Sequence, residues 1–214
     1  MKKKNLSWLL VVLISGINLQ AQQLVPVTKE EQRYMLEKIE ASSAKMNTLV
    51  CDFEQTKALS LLDEKMISKG KMFYRQDRCL RWEYLSPYTY TFILNDKKIL
   101  MQTGKSRNVV DVKSNKLFQE AVKIMMGSVN GKGLMDTKNF RATYYWGEKA
   151  WTIILIPLQK EMKQIFSLIE LTLDVEDYTV DKIKMEEPNG DATLIRLWNK
   201  QFNLKIDDEK FAVD

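Results

Sequence analysis

The 214-residue chain contains no histidine and only two cysteines, Cys51 and Cys79. Without histidine, Ser-His-Asp and Cys-His nucleophile systems and histidine metal sites are excluded. Long apolar runs are scarce too. The stretch from Leu6 to Ile17, interrupted by Ser7, Ser15 and Gly16, falls short of the roughly 20 residues that span a bilayer core. A basic stripe is also missing: lysines interleave with Asp and Glu, as on a solvated surface, so nucleic acid is not an expected partner. Repeats, low-complexity tracts and linker-like stretches are absent.

What stands at the start is a secretory signal pattern. Lys2, Lys3 and Lys4 precede the apolar run, and Leu19-Gln20-Ala21 offers a small residue for cleavage. Residues 1–21 are therefore expected to be a cleaved signal peptide, with residues 22–214 forming one domain of ordinary size. The formal charge is +5, of which the three lysines of the signal supply 3, leaving +2 for the mature chain. Cys51 lies too far beyond the apolar run for the mature protein to be a lipoprotein itself. An exported, soluble protein is expected.

Thr28 with Glu31 forms a capping box, in which each side chain satisfies a free amide of the other. Met35, Leu36, Ile39 and Met46 follow at helical spacing, so Thr28 to Asn47 reads as a helix. Ser114 to Met126 reads as a second, with Leu117, Phe118, Ala121, Val122, Ile124 and Met125 as its apolar face and Gly127 as terminator. Between and after them lie period-2 segments: Leu49–Lys57, Met66–Tyr74, the run to Tyr84, strands through Leu94 and Ile99–Gln102, and Arg107–Val112. Further along come Phe140–Trp146, Trp151–Ile156, Phe166–Asp174, Val180–Glu187, Ala192–Trp198 and a last segment through Phe202–Ile206. The reading is a mainly β protein of about ten or eleven antiparallel strands with two main helices, a large curved sheet or open barrel with one face available for helical cover.

Side chains in a strand point to alternate sides. Leu80, Trp82 and Tyr84 therefore share one face, and Cys79, Arg81 and Glu83 the other. After Pro87, Tyr88, Tyr90, Phe92 and Leu94 repeat the pattern against Thr89, Thr91 and Ile93. The same alternation groups Cys51 with Leu49, Phe53 and Gln55, which sets the two sulfurs on opposite sides of the sheet, where a disulfide fails on geometry.

No catalytic, cofactor or metal site is expected. The acid pairs Asp174/Glu176 and Glu186/Glu187 sit beside polar turns instead of converging across a cleft. Asp207, Asp208 and Glu209 lack the spacing and glycine of a calcium loop. The segment GSVNGKG lacks the hydroxyl residue after lysine that a phosphate loop uses, and reads as a hinge. What remains is apolar surface. Methionines and aromatics recur in amphipathic elements, and they suit either a plain core or a cleft that repacks around a ligand.

Several segments together resemble the LolA family of periplasmic lipoprotein carriers: Phe53-Glu54-Gln55, Gly70-Lys71-Met72, Leu80-Arg81-Trp82-Glu83-Tyr84 before Pro87, Leu155-Ile156-Pro157, Ile169-Glu170-Leu171, Asn189-Gly190 and Trp198-Asn199 ahead of Phe211. The spacing of Gly70, Trp82 and Pro87 is the most specific piece. The resemblance implies an unclosed, strongly curved antiparallel β-barrel with helices as a lid over a hydrophobic cavity. It implies a monomeric, non-enzymatic carrier in the periplasm that binds acyl chains of lipoproteins, taking them from an inner-membrane ABC transporter to the outer membrane. An outer-membrane LolB-type receptor is a further candidate partner.

Phe53, Leu80 and Trp82, with Tyr84, Tyr90 and Phe92, would wall the cavity. Met35, Leu36 and Ile39 would face Phe118, Val122 and Met125 in the lid. Many members carry Arg-Pro before the aromatic strand, and that arginine helps hold the lid. Here Gln76 and Asp77 take those positions, with Arg75 one residue early as the candidate latch. The alternative function is a lipid- or glycolipid-binding envelope module of the same fold, acting in export or stress sensing.

Overall fold

The computed structural model describes residues 24–62, 64–114, 119, 122, 125–127, 129, 138–147 and 149–213. The expected signal peptide, Phe118 and most of the glycine-rich segment lie outside these residues. Helix α1 (Lys29–Lys45) starts at the capping box: the Thr28 hydroxyl accepts from the Glu31 amide at 3.3 Å, and the Thr28 amide donates to the Glu31 carboxylate at 2.7 Å. These bonds hold the Glu31 carboxyl below its ordinary pKa. Met35 and Ile39 are buried, as is Met46 at the C-cap, while Leu36 packs half-buried beside them.

The strands are β1 (Val25–Pro26), β2 (Thr48–Leu59), β3 (Glu64–Arg75), β4 (Cys79–Ser86), β5 (Tyr90–Asn95), β6 (Lys98–Thr103) and β7 (Ser106–Asp111). They continue as β8 (Phe140–Trp146), β9 (Ala150–Pro157), β10 (Leu168–Asp174), β11 (Val180–Glu186) and β12 (Ala192–Phe202). All twelve belong to one antiparallel sheet in the order β1-β8-β9-β10-β11-β12-β2-β3-β4-β5-β6-β7. Two meanders, β2–β7 and β8–β12, are joined where β12 pairs with β2 from Ala192↔Ala58 to Phe202↔Leu49. The sheet ends at β7 on one side and β1 on the other, so the barrel is not closed.

Curvature has local causes. The register shifts at Lys69/Gly70, Thr172/Leu173 and Trp198/Gln201, and such irregularities bend a strand and increase its twist. Asn199, at the last of these, has φ +53°. Gly70 is required for a different reason. A Cβ there would lie 1.8 Å from the Glu83 carbonyl oxygen and 2.7 Å from the Phe53 ring, so only glycine lets that ring cross β3.

The sheet has two apolar sides. The concave side carries the main core, including Phe53, Leu80, Leu94, Trp151, Ile153, Leu171 and the buried residues of α1. The opposite side carries a smaller cluster of Cys79, Ile93, Leu100, Phe211 and Val213. Ile93 and Cys79 thus face apolar cover instead of water, because the C-terminal tail folds back over them through a 3-10 turn at Asp208–Phe211. The two cysteines are free and buried, one on each side of the sheet, in agreement with the alternation argument.

Other differences are local. Helix α2 (Lys160–Lys163) precedes β10, where a strand was expected from Phe166. Beyond Phe202 the chain leaves the sheet, and Asn203 adopts φ +58°. Gly127 is itself helical, as are Gln119, Val122, Met125, Met126 and Val129. Among the described residues no helix is long and apolar enough to cross a membrane.

Candidate functional site

Burial falls off along the sheet toward one end. In β3 the residues from Glu64 to Ile67 are exposed whereas Met72 and Tyr74 are buried, and β4 runs from buried Cys79 and Leu80 to exposed Leu85 and Ser86. At this less covered end the concave face holds a cavity of about 290 Å³. Its described wall comprises Gln55 from β2, Trp82 and Tyr84 from β4, Tyr90 and Phe92 from β5, and Ile183, Met185 and Ile195 from β11 and β12. Phe166, just ahead of β10, adds to the wall, and Met125 and Val129 of the helical segment also line it.

The wall is built from cross-strand pairs. Trp82 faces Phe92 and Tyr84 faces Tyr90, while Ile183 faces Ile195. Behind them Phe53 packs at 4.7 Å from Trp82 and 5.0 Å from Tyr84 between ring centroids, the latter edge-on. Phe53 and Leu80 have no exposed surface and so stand behind the lining, supporting it. Tyr84 stacks on Tyr88 at 6.0 Å and meets Tyr90 at 5.7 Å, forming a tyrosine rim.

Polar chemistry in the wall is sparse. The Tyr84 hydroxyl donates to Gln55 Oε1 at 2.9 Å. Burial, reinforced by the neighbouring Tyr88 and Tyr90 phenols, pushes the Tyr84 pKa up to about 12, so this hydroxyl keeps its proton. Burial likewise raises Tyr90. The indole N–H of Trp82 is buried without a hydrogen-bond partner among the described residues. Among the described residues of this wall none is a nucleophile with an adjacent base.

The proposed lid residues divide into two groups. Met35, Leu36 and Ile39 of α1 pack into the main core, and α1 lies by Trp151 and the β10–β11 turn, with Tyr34 edge-on to Trp151 at 6.1 Å and the Ser42 hydroxyl donating to the Asp177 carbonyl at 2.7 Å. Val122 is buried in the same core, whereas Met125 lines the cavity. Arg75 is placed on the convex side. Its guanidinium donates to Asp77 at 2.9 Å and to Asp208 at 2.5 Å, and lies 4.8 Å over the Phe211 ring.

Three of the four carboxylates weighed as acid pairs have other partners. Asp174 caps the β10–β11 turn by accepting from the Glu176 and Asp177 amides. Glu186 pairs with Lys184 at 2.7 Å and Glu187 with Lys57 at 3.3 Å. The sequence reading missed six of the eleven described wall residues: Gln55, Val129, Phe166, Ile183, Met185 and Ile195. Alternation in β11 and β12 carried the signal for Ile183, Met185 and Ile195, but only the β12–β2 pairing brings them opposite the aromatic strands.

A family model described as "Outer membrane lipoprotein carrier protein LolA" matches residues 44–214. The chain belongs to the LolA family. The match spans all of β2 through β12 and includes every described residue of the cavity wall. No curated protein matches the chain in sequence.

Solved structures are similar to this chain at low identity. The MucA/MucB complex of Pseudomonas aeruginosa is 11% identical with a TM-score of 0.51, covering 86% of this chain and 61% of that one. An uncharacterized conserved protein from Thermus thermophilus is 10% identical with a TM-score of 0.50, covering 85% and 92%. A LolA superfamily protein from Nitrosomonas europaea is 7% identical with a TM-score of 0.44, covering 84% and 96%. The family model's description is that of a carrier, and this chain has an apolar cavity on the concave face of its sheet.

Proposed function

We propose that this LolA-family protein carries acylated lipoproteins through the periplasm, sheltering their acyl chains in the concave cavity between an inner-membrane ABC transporter and the outer membrane. Export with cleavage after Ala21, one carrier domain over residues 22–214, a monomeric state and a LolB-type receptor as acceptor belong to this reading. The supporting observation is the cavity itself, walled by Trp82, Tyr90, Phe92, Ile183 and Ile195 with few polar groups.

Energetics explain the need for it. Each acyl methylene hidden from water gains about 0.8 kcal/mol, so a bare acyl chain does not cross an aqueous space at a useful rate. Release must also be achievable. A lid that packs on its own sheet competes with the ligand, so emptying the cavity regains lid contacts. A cavity of about 290 Å³ is near the lower end of the roughly 300–1,000 Å³ typical of ligand clefts. Loading a triacylated anchor therefore requires the Met125 segment to move outward.

That volume also favours a second reading, a module that holds one free lipid or glycolipid in envelope export or stress sensing. Incubating the mature protein with inner-membrane vesicles and weighing what co-purifies separates the two. A carrier releases triacylated protein from the vesicles, and the module holds free lipid. A chain that stays ligand-free and extracts nothing contradicts both.

A further inference from the structure

The cavity wall is graded. Trp82, Ile183, Ile195 and Val129 are buried, whereas Gln55, Tyr84, Tyr90, Phe92, Met125, Phe166 and Met185 are half-buried. The side-chain amide of Gln55 and the tyrosine hydroxyls thus lie among the half-buried residues, above a floor of Trp82, Ile183, Ile195 and Val129 whose one polar side-chain atom is the Trp82 indole nitrogen. Gln55 shares the concave face with Phe53 and pairs across the sheet with Ile195 and Ser68.

Its oxygen is already used. The Tyr84 hydroxyl donates to Oε1 at 2.9 Å, which fixes the amide plane and leaves the two N–H donors of Nε2 without a protein partner among the described residues. Tyr84 keeps its proton because burial raises its pKa to about 12, so this orientation holds across ordinary pH. The buried Trp82 indole N–H, on the same wall, is a second donor without an acceptor among the described residues.

The buried Trp82 donor is costly while unanswered, the Gln55 amide stands half-buried at the rim, and a ligand that brings a carbonyl acceptor into the rim supplies a partner there. An ester or amide carbonyl at the head of an acyl chain is such a group. An ether oxygen is a weaker acceptor, and a plain hydrocarbon has none.

We propose that Gln55, oriented by Tyr84, selects acyl chains that carry an ester or amide carbonyl by donating to that carbonyl at the rim while the hydrocarbon lies against Trp82, Ile183 and Ile195. This rests on the carrier reading and adds the linkage chemistry it recognises. Gln55 is a specificity-determining residue on this account, and the chain enters tail first.

The test titrates the mature protein with 1,2-dioctanoylglycerol and with its dioctyl ether analogue, following tryptophan fluorescence. The wild type is expected to bind the ester about tenfold more tightly, the worth of one well-placed hydrogen bond. In Gln55→Leu the ester-to-ether ratio falls to about one. Equal wild-type affinity for the two, or an unchanged ratio in the variant, overturns the proposal and leaves the carrier reading standing. If neither compound binds, both fall. Should Gln55→Leu fail to fold, Gln55→Met takes its place, with the same fall in the ratio expected and an unchanged ratio overturning the proposal.

Discussion

The Phe53 ring crosses β3 directly above Gly70 and reaches to 4.7 Å from Trp82, centroid to centroid, although the two residues belong to strands that are not neighbours. Gly70 pairs with Phe53 on one side and Tyr84 on the other, and its missing side chain is the space the ring occupies. The aromatic wall of the cavity is therefore braced from behind through a glycine.

Gly70→Ala is expected to destabilise the fold by about 1–3 kcal/mol, the usual cost of overpacking, because the obstructing atoms include the backbone oxygen of Glu83. Urea unfolding measures it. An unchanged midpoint would mean that β3 yields easily and that the brace is unimportant.

Arg75 and Phe211 act on the convex side. Phe211→Ala is expected to cost about 3 kcal/mol or more, as for a buried phenylalanine. Arg75→Ala should cost about 1 kcal/mol, since its carboxylate partners are largely exposed. Both should speed amide exchange in residues 203–213 while changing acyl-ligand affinity less than twofold. A tenfold affinity change in Arg75→Ala would instead assign it to the lid.

Methionines of the cover should separate by position. Met35→Ser removes a wholly buried side chain and is expected to cost about 2–5 kcal/mol of stability. Met125→Ser, half-buried on the cavity wall, should cost less than about 1 kcal/mol, by analogy with partly exposed sites, yet weaken acyl binding severalfold. Paired denaturation and binding curves check this.

Stability should fall on the alkaline side. Burial pushes the Cys51 thiol up to about 12 and the Tyr84 phenol to about 12, both above their unfolded values. The folded state then holds protons that the unfolded state releases, so stability is full below the unfolded pKa and declines as pH rises through the window up to about 12. For Cys51 the slope is about 1.4 kcal/mol per pH unit starting near pH 8.5. Cys51→Val should flatten the limb between pH 9 and 10 in urea titrations, and an unchanged slope contradicts the assignment. In the native protein Cys51 should also resist thiol reagents until unfolding.

Much of this was legible in period-2 alternation. Trp82, Tyr84, Tyr90 and Phe92 were placed on one face from pattern alone, and all four line the cavity. Thr28 and Glu31 announced α1 through local hydrogen bonding that needs no tertiary context. What was not legible is non-local or too short to repeat. The β12–β2 pairing joins residues some 140 positions apart, as at Arg196↔Glu54, and no periodicity encodes it. Strand β1, at two residues, and α2, at four, lack a full period. The tail that covers Ile93 and Cys79 reads as a polar turn with one phenylalanine, so the convex core was invisible until Phe211 was placed on it.

The central claim is that an acyl chain lies against Trp82. Mature protein should be mixed with a fatty acyl ester brominated near its chain end, since bromine in contact with an indole quenches its fluorescence. The account predicts saturable quenching that persists in Trp198→Phe and disappears in Trp82→Phe. Quenching that survives loss of Trp82, or its absence in the wild type, would contradict it.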